Sequence, residues 1–420
     1  MFDSSFVFPQ HDGRCFSNLP RTIQSLFSDT ITPALVPELL GSISPPYDTV
    51  IFFYIDAFGW RFWQEHCNRS PFLQRMQSDG VVSKITAQFP STTAAHVTTI
   101  HSGLPVGQSN VFEWQYYEPE LDAMFSPLLY SFAGDKKRET VTSLDIDKNL
   151  LFPNQTLYKT LRGEGIRSYT LQSRTYSSTT YSKSMLKGSR VSSYTTYPQA
   201  LVTLGQLLAE QDKPTYYFLY LDPIDHICHQ YGPRSPHLAA EIEAFLMIME
   251  RIFMKQLEKR TARTLFMMTT DHGQVEVSPE TTIYLNRDPP FSGVERFLKT
   301  SRKDELLIPA GSPRDMFLYI KDGMLDDAVE FLGTRLNNLA DVHPVSHLID
   351  QGLFGNGTLD ESFLSRIGDL VILPFAHQSV WWYEKGKFEM KFKGHHGGLT
   401  PEEMEIPLIL FDPDQSMEGP

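Results

Sequence analysis

The sequence predicts an α/β protein, a doubly wound and mainly parallel sheet sandwiched by helices, with a smaller α+β insertion. Apolar runs rich in β-branched and aromatic residues carry the first half of that expectation. Thr49–Ile55 (TVIFFYI), 80–89, 168–171, Thr215–Leu221 (TYYFLYL) and Thr264–Thr269 (TLFMMT) read as strands. Amphipathic stretches at 61–78, 94–101, 156–162, 198–210 and 237–259 lie between them and read as helices. Strands that alternate with helices and stay apolar on both faces belong in a parallel sheet covered from both sides. The insertion follows from a change of character beyond Thr281: YLNRDPPFSG, a basic stretch at 299–303, GSPRDMFLYI, a helix over 326–337, then RIGDLVILP. GHHGGLTPEEMEIPLILF ends in another apolar run and returns the chain to the main sheet. The expected division is an N-terminal arm at 1–45, a main α/β domain made of 46–285 and 390–420, and an inserted subdomain over 286–389.

Composition narrows the partners. The chain has 420 residues and is large enough to bury a substantial core. It contains no apolar run of the ~18 residues that a membrane span requires, so a soluble protein is expected. Residues 1–10 show no basic segment followed by an apolar stretch, and the three cysteines, Cys15, Cys67 and Cys228, are too scattered for a disulfide framework. A cytoplasmic location is therefore the expectation. A formal charge of −13 argues against bulk nucleic-acid or anionic-membrane binding. It leaves room for a small anionic substrate, because bound cations reverse the field inside a site.

The candidate chemistry lies at strand ends. Asp56 follows TVIFFYI, Asp222 and Asp225 follow TYYFLYL, and Asp271 with His272 follows TLFMMTT. In open α/β sheets ligands bind beyond the carboxyl ends of the strands, so separate segments would deliver these groups to one crevice. A lone aspartate after a strand is ordinarily a turn or capping residue, and only the combination with histidines says more. DPIDHICHQYGP sets Asp225 and His229 four residues apart, a spacing at which both reach one ion. His396 in GHHGG adds an imidazole from far along the chain. Carboxylates and imidazoles without thiolate suit zinc, manganese or iron. His226, His395 and Cys228 read as neighbours of that set. In FPSTTAAHVTTIHSG a helix begins near Thr93, where unpaired N–H groups favour an alkoxide and a bound phosphate. Capping logic leaves Ser91, Thr92 and Thr93 equally open as the attacking hydroxyl.

YIDAFGW, FPSTTAAHVTTIHSGLPVG, DPIDHICHQYGP, TTDHGQ and KGHHGGLTPEEMEIPL, in this order, resemble the motif series of the alkaline phosphatase superfamily, in its nucleotide pyrophosphatase/phosphodiesterase (type I phosphodiesterase) branch. The resemblance spans nearly the whole chain and implies an alkaline phosphatase-like fold. It implies Thr93 as nucleophile, ten residues before Gly103 and itself a ligand of the metal ion that Asp56, Asp271 and His272 surround, with Asp225, His229 and His396 around a second. Two divalent ions, zinc in first place and manganese or iron as alternatives, are thus the expected cofactors. The expected substrate is a small phosphate compound, nucleotides included. One departure stands out. The branch carries an asparagine after the nucleophile helix that donates to a phosphate oxygen, but LPVGQSNVFEW places Glu113 about there and Asn110 three positions earlier. Either Asn110 serves as the substrate-binding substitute, or metals and backbone N–H groups alone hold that oxygen.

The expected reaction is hydrolysis of a phosphodiester or nucleotide pyrophosphate through a covalent phosphothreonine. A phosphomonoesterase, a phosphonoacetate hydrolase and a phosphosugar mutase on the same site are the rival enzymes, and a catalytically silent metal or nucleotide binding module is the rival class. A sulfatase is disfavoured, since no Cys/Ser-x-Pro-x-Arg segment occurs. Phe112, Trp114, Tyr116 and Tyr117 are read either as a stacking surface or as core, and Arg314, Trp381 and Trp382 either as pocket lining or as packing.

Overall fold

The computed structural model describes residues 2–260 and 262–414. Seven strands form the main sheet: β1 (Thr49–Ile55), β2 (Val81–Thr86), β3 (Arg167–Ser173), β4 (Arg190–Tyr194), β5 (Thr215–Leu221), β6 (Thr264–Thr269) and β7 (Glu405–Phe411). Their spatial order is β2-β7-β6-β1-β5-β3-β4. β1 pairs in parallel with β5 and β6, and β3 pairs in parallel with β5 and β4. Only β7 runs against its neighbours. The expected doubly wound, mainly parallel sheet is what the chain forms.

β1 is buried along its whole length because both faces are covered. Phe52 and Tyr54 point into a core with the helix α3 (Thr93–Ser102) and with α4 (Leu157–Gly163). Ile51, Phe53 and Ile55 point into a second core with α1 (Trp60–His66), α2 (Pro71–Asp79), α5 (Tyr197–Ala209) and α7 (Pro236–Ile248). A period-2 strand carrying large apolar side chains on both faces can satisfy both only in such a sandwich. The stretch 61–78, expected as one helix, is two. Pro71 has no N–H to continue the ladder and takes the first turn of α2, where Ser70 accepts from the Leu73 N–H as N-cap.

The first 45 residues do more than lie over the core. Phe16, Leu19 and Ile23 are buried in it, and Cys15 bridges to Thr86 at the β2 edge. Within the span expected as an insertion, Ala310–Ser312, Asp315–Leu318, Leu370–Pro374 and Ala340–Pro344 form a four-stranded antiparallel sheet with its own apolar cluster. No helix among the described residues is long and apolar enough to cross a membrane.

A buried ion pair ties that smaller sheet to the turn before β7. Arg314 and Glu403 are both fully buried. The guanidinium donates through Nε and Nη2 to the two carboxylate oxygens, each at 3.0 Å, and through Nη2 to the Pro374 carbonyl at 3.1 Å. Glu403 also accepts from the Gly398 and Thr400 N–H groups and from the Thr400 hydroxyl. Arg314 is thus a structural tie rather than pocket lining. Arg314→Leu strands the carboxylate in the interior and should cost about 3–5 kcal/mol. Urea unfolding measures this, and a change below about 1 kcal/mol would mean that the pair is dispensable.

Candidate active site

The site is set by strand register. Thr49 of β1 lies opposite Thr215 of β5 and Thr264 of β6, so the three strands run level and end together. Asp56 emerges one residue past β1, Asp271 two past β6, and Asp225 on the first turn of α6 (Pro223–Tyr231) after β5. The turns after β1 and β6 are pressed together. A Cβ on Gly59 would come within 2.7 Å of the Gly273 Cα, and one on Gly273 within 2.1 Å of the Glu402 carbonyl oxygen, so both positions require glycine. Ala57, at φ +63, turns its N–H toward Asp271 Oδ1 at 3.2 Å.

Each carboxylate is held by one oxygen and open at the other, or nearly so. Asp271 Oδ1 accepts from the Ala57 and His272 N–H groups and the Thr270 hydroxyl, whereas its Oδ2 is buried without a partner. Asp56 Oδ2 accepts from the Tyr220 hydroxyl, whereas its Oδ1 is buried and unpartnered. Asp225 Oδ1 accepts from Gln274 Nε2 at 2.5 Å.

The imidazoles are oriented from behind. His272 Nδ1–H donates to the Gly273 carbonyl at 3.0 Å, His229 Nδ1–H to Gly394 at 2.7 Å, and His396 Nδ1–H to Ser91 at 2.9 Å. A carbonyl only accepts, so Nδ1 carries the proton and each Nε2 presents a lone pair, which is how metal-ligating histidines are set. His272 Nε2 lies 3.3 Å from Asp271 Oδ2 and 3.6 Å from Asp56 Oδ1. His229 Nε2 and His396 Nε2 lie 3.4 and 3.9 Å from Asp225 Oδ1. The His272 and His396 rings stack in parallel with centroids 3.6 Å apart.

These atoms form two donor groups, Asp56, Asp271, His272 and Asp225, His272, His396, in each of which all ligand atoms lie within 4.8 Å of one another. His229 adjoins the second through Asp225. Burial, and then the charges of Asp271 and Asp225, push the Asp56 carboxyl well above the usual carboxylate range. Burial and the neighbouring His272, His229 and His395 push the His396 imidazole far below its ordinary value. Carboxylates that repel one another, buried oxygens without a donor and lone pairs all aimed inward fit divalent cations.

The three candidate hydroxyls are separated by their contacts. Ser91 Oγ donates to the Gly398 carbonyl at 2.8 Å and accepts from the Gly397 N–H. Thr92 is the N-cap of α3, accepting from the Ala95 N–H. Thr93, first residue of that helix, turns its Oγ1 toward the donor groups, 3.2 Å from His272 Nε2. His96 braces this helix start: Nδ1–H donates to the Thr92 carbonyl and Nε2 accepts from the Gln88 N–H, both at 2.8 Å. Burial pushes its imidazole down to about 4, so the ring is neutral.

Two cavities meet at Thr93. The larger, about 480 Å³, reaches past Asp225, His229 and His396 to Trp381, Phe388 and Phe392. The smaller, about 210 Å³, passes Asp56 and Tyr220 to Gln172, Tyr176 and Arg138. Trp114, 45% exposed, lines both, while Phe112 and Tyr116 are core residues. Asp56, Thr93, Asp225, His229, Asp271, His272 and His396 are brought together. Asn110 is not: it follows the short helix Val106–Ser109 at φ +65, its carbonyl accepts from Arg366, and it lines neither cavity. His395 lines the larger cavity and His226 the smaller, and Cys228 is buried. Tyr220, Gln274 and His96 were missed, although Gln274 stands in TTDHGQ itself.

No curated protein matches the chain in sequence. Solved structures of ectonucleotide pyrophosphatase/phosphodiesterase 5 share its fold. The murine protein, as an inactive threonine-to-alanine variant in complex with AMP, has a TM-score of 0.62 and 16% identity over 87% of this chain and 88% of that one. The murine protein without that description and the human protein give the same figures, 0.62, 16%, 87% and 88%. The model of one family, type I phosphodiesterase / nucleotide pyrophosphatase, matches residues 50–399, and the chain belongs to that family.

Proposed function

We propose that the protein hydrolyses phosphodiester or nucleotide pyrophosphate bonds with Thr93 as nucleophile. The observation that carries this is the Thr93 hydroxyl at the start of α3, 3.2 Å from the His272 nitrogen that both donor groups share. Asp56, Asp271 and His272 would hold one divalent ion, and Asp225, His229 and His396 the other, with zinc favoured over manganese or iron on this thiolate-free set. When bound, such ions polarise phosphate oxygens and lower the pKa of a neighbouring hydroxyl.

The chain's own residues supply the rest. Thr93 Oγ1, once deprotonated, attacks phosphorus from the helix N-terminus, where unpaired N–H groups favour the phosphate's negative charge. The bond to the leaving group breaks and that group departs with a proton from water, leaving a phosphothreonine that still carries the second substituent. Attack by water on that phosphorus restores the Thr93 hydroxyl and releases a phosphate monoester. Two cavities that meet at Thr93 give room for two substituents on one phosphorus, which favours a diester or pyrophosphate over a monoester. AMP in the murine structure of the same fold supports a nucleotide as one of those substituents. Trp114, exposed between the cavities, offers a stacking face.

Thr93→Ala should lower turnover ~10³-fold or more while leaving the metal content unchanged. Steady-state rates with elemental analysis check this, and a variant retaining a tenth of the activity would rule Thr93 out as nucleophile. On a nitrophenyl monoester, a bis-nitrophenyl diester and a dinucleotide pyrophosphate, kcat/KM should be lowest for the monoester. The reverse order would return the site to a phosphomonoesterase. Chelation should abolish turnover and added zinc or manganese restore it. No turnover with any ion would favour a silent binding module.

A further inference from the structure

In the wall of the larger cavity, which Glu113 lines, two carboxyl groups meet. Glu113 is 1% exposed and Asp315, which opens the strand Asp315–Leu318, is fully buried. Their side chains lie within hydrogen-bonding reach of each other. Glu113 Oε2 accepts from the Trp114 N–H, and Asp315 Oδ1 lies 2.5 Å from Ser312 Oγ. The remaining oxygens, Glu113 Oε1 and Asp315 Oδ2, are buried with no other donor. Two ionised carboxylates in contact would repel, whereas one proton between them turns the same contact into a strong hydrogen bond. Glu113 Oε1 is buried and faces Asp315.

What the pair touches is the loop that carries His396. Ser312 Oγ accepts from the Arg314 N–H at 3.1 Å, and its single proton is shared between Asp315 Oδ1 at 2.5 Å and the His396 carbonyl at 3.1 Å. The next residue, Gly397, sits at φ +126, and a Cβ there would fall 2.4 Å from Asp315 Oδ1 and 2.5 Å from Ser312 Oγ. Backbone therefore rests directly on the Asp315–Ser312 contact, while the His396 imidazole is tied on its other side to Ser91. A group that fixes a ligand's backbone sets where its lone pair points.

We propose that Glu113 and Asp315 are positioning residues, a proton-sharing carboxyl pair that seats the His396 loop through Ser312 and so places one donor of the second metal group. The inference rests on His396 being a ligand, as in the function proposed above. Burial pushes Glu113 up to about 8, and burial followed by Glu113 itself pushes Asp315 well above the carboxylate range. The charged groups around the pair are Glu403, which raises Asp315 further, Arg314, whose charge is engaged by Glu403, and the neutral imidazoles of His395 and His396. A carboxyl raised by folding stabilises the fold fully below its unfolded value and loses that contribution as pH rises through the folded one. Through Glu113 the loss runs from the ordinary carboxylate range up to about pH 8, and Asp315, raised further, extends it above that.

The test compares wild type with Glu113→Gln and Glu113→Ala. An amide donates to Asp315 as the shared proton does, so the Gln variant should keep zinc affinity within about threefold, and the Ala variant should lose ~10–100-fold. Independently of metal, melting of the apo protein between pH 6 and 9 should show an alkaline decline in wild type that Glu113→Gln flattens. If zinc binds no variant but the melting difference appears, the pair stands and the metal reading fails. If Glu113→Gln melts like wild type at every pH, or loses as much zinc affinity as Glu113→Ala, the shared proton is overturned. The Gln variant alone suffices for both readouts if Glu113→Ala does not fold.

Discussion

The structure depends on crowding three carboxylates at the level ends of three in-register strands. Asp56, Asp271 and Asp225 leave β1, β6 and β5 at one edge because Thr49, Thr264 and Thr215 are aligned across the sheet. Like charges so close and so dry are unfavourable in the absence of cations. That repulsion is offset partly by local donors: Tyr220 on Asp56, Gln274 on Asp225, and Ala57, Thr270 and the His272 N–H on Asp271. The oxygens left over define where positive charge belongs. A sheet buried on both faces supplies the rigidity, since a packed interior does not shift to relieve the strain.

The imidazoles solve a complementary problem. An imidazole that is to hold a cation must keep one nitrogen bare, and backbone carbonyls arrange this for His272, His229 and His396, while burial holds the His396 ring neutral. His396 reaches the site from the far end of the chain only because the segment after the smaller sheet is pinned twice. Arg314 and Glu403 fix the turn before β7, and Ser312 with Asp315 fixes the residues around Gly397. The smaller sheet is therefore part of what builds the site, although it contributes none of the proposed ligands.

Much of this was legible in the sequence because the signals were local. TVIFFYI, TYYFLYL and TLFMMT coincide with β1, β5 and β6, since uninterrupted apolar runs of that length fit only a strand covered on both faces. The donor residues were legible because each follows such a run or sits in a short His-rich segment. Less legible was everything decided by backbone geometry. The carbonyls of Ser91, Gly273 and Gly394 orient the histidines, and a carbonyl is offered by every residue type, so the sequence is silent about them. Ser91, Thr92 and Thr93 were indistinguishable until the turn after Phe89 gave the first to Gly398 and the second to the helix cap. Asn110 and Glu113 were placed by counting along a loop, but the short helix at Val106–Ser109 and the left-handed turn at Asn110 send one toward Arg366 and the other toward Asp315.

If the crowded carboxylates and inward-facing imidazoles are two cation sites sharing one edge of the sheet, the metal-free protein titrated with zinc in a calorimeter should take up two ions per chain. Asp56→Asn should then bind one ion fewer while the remaining site keeps its affinity. Uptake of a single ion by the unaltered protein, or of none, would contradict the two-site arrangement and leave the buried oxygens of Asp56 and Asp271 to be explained by protons instead.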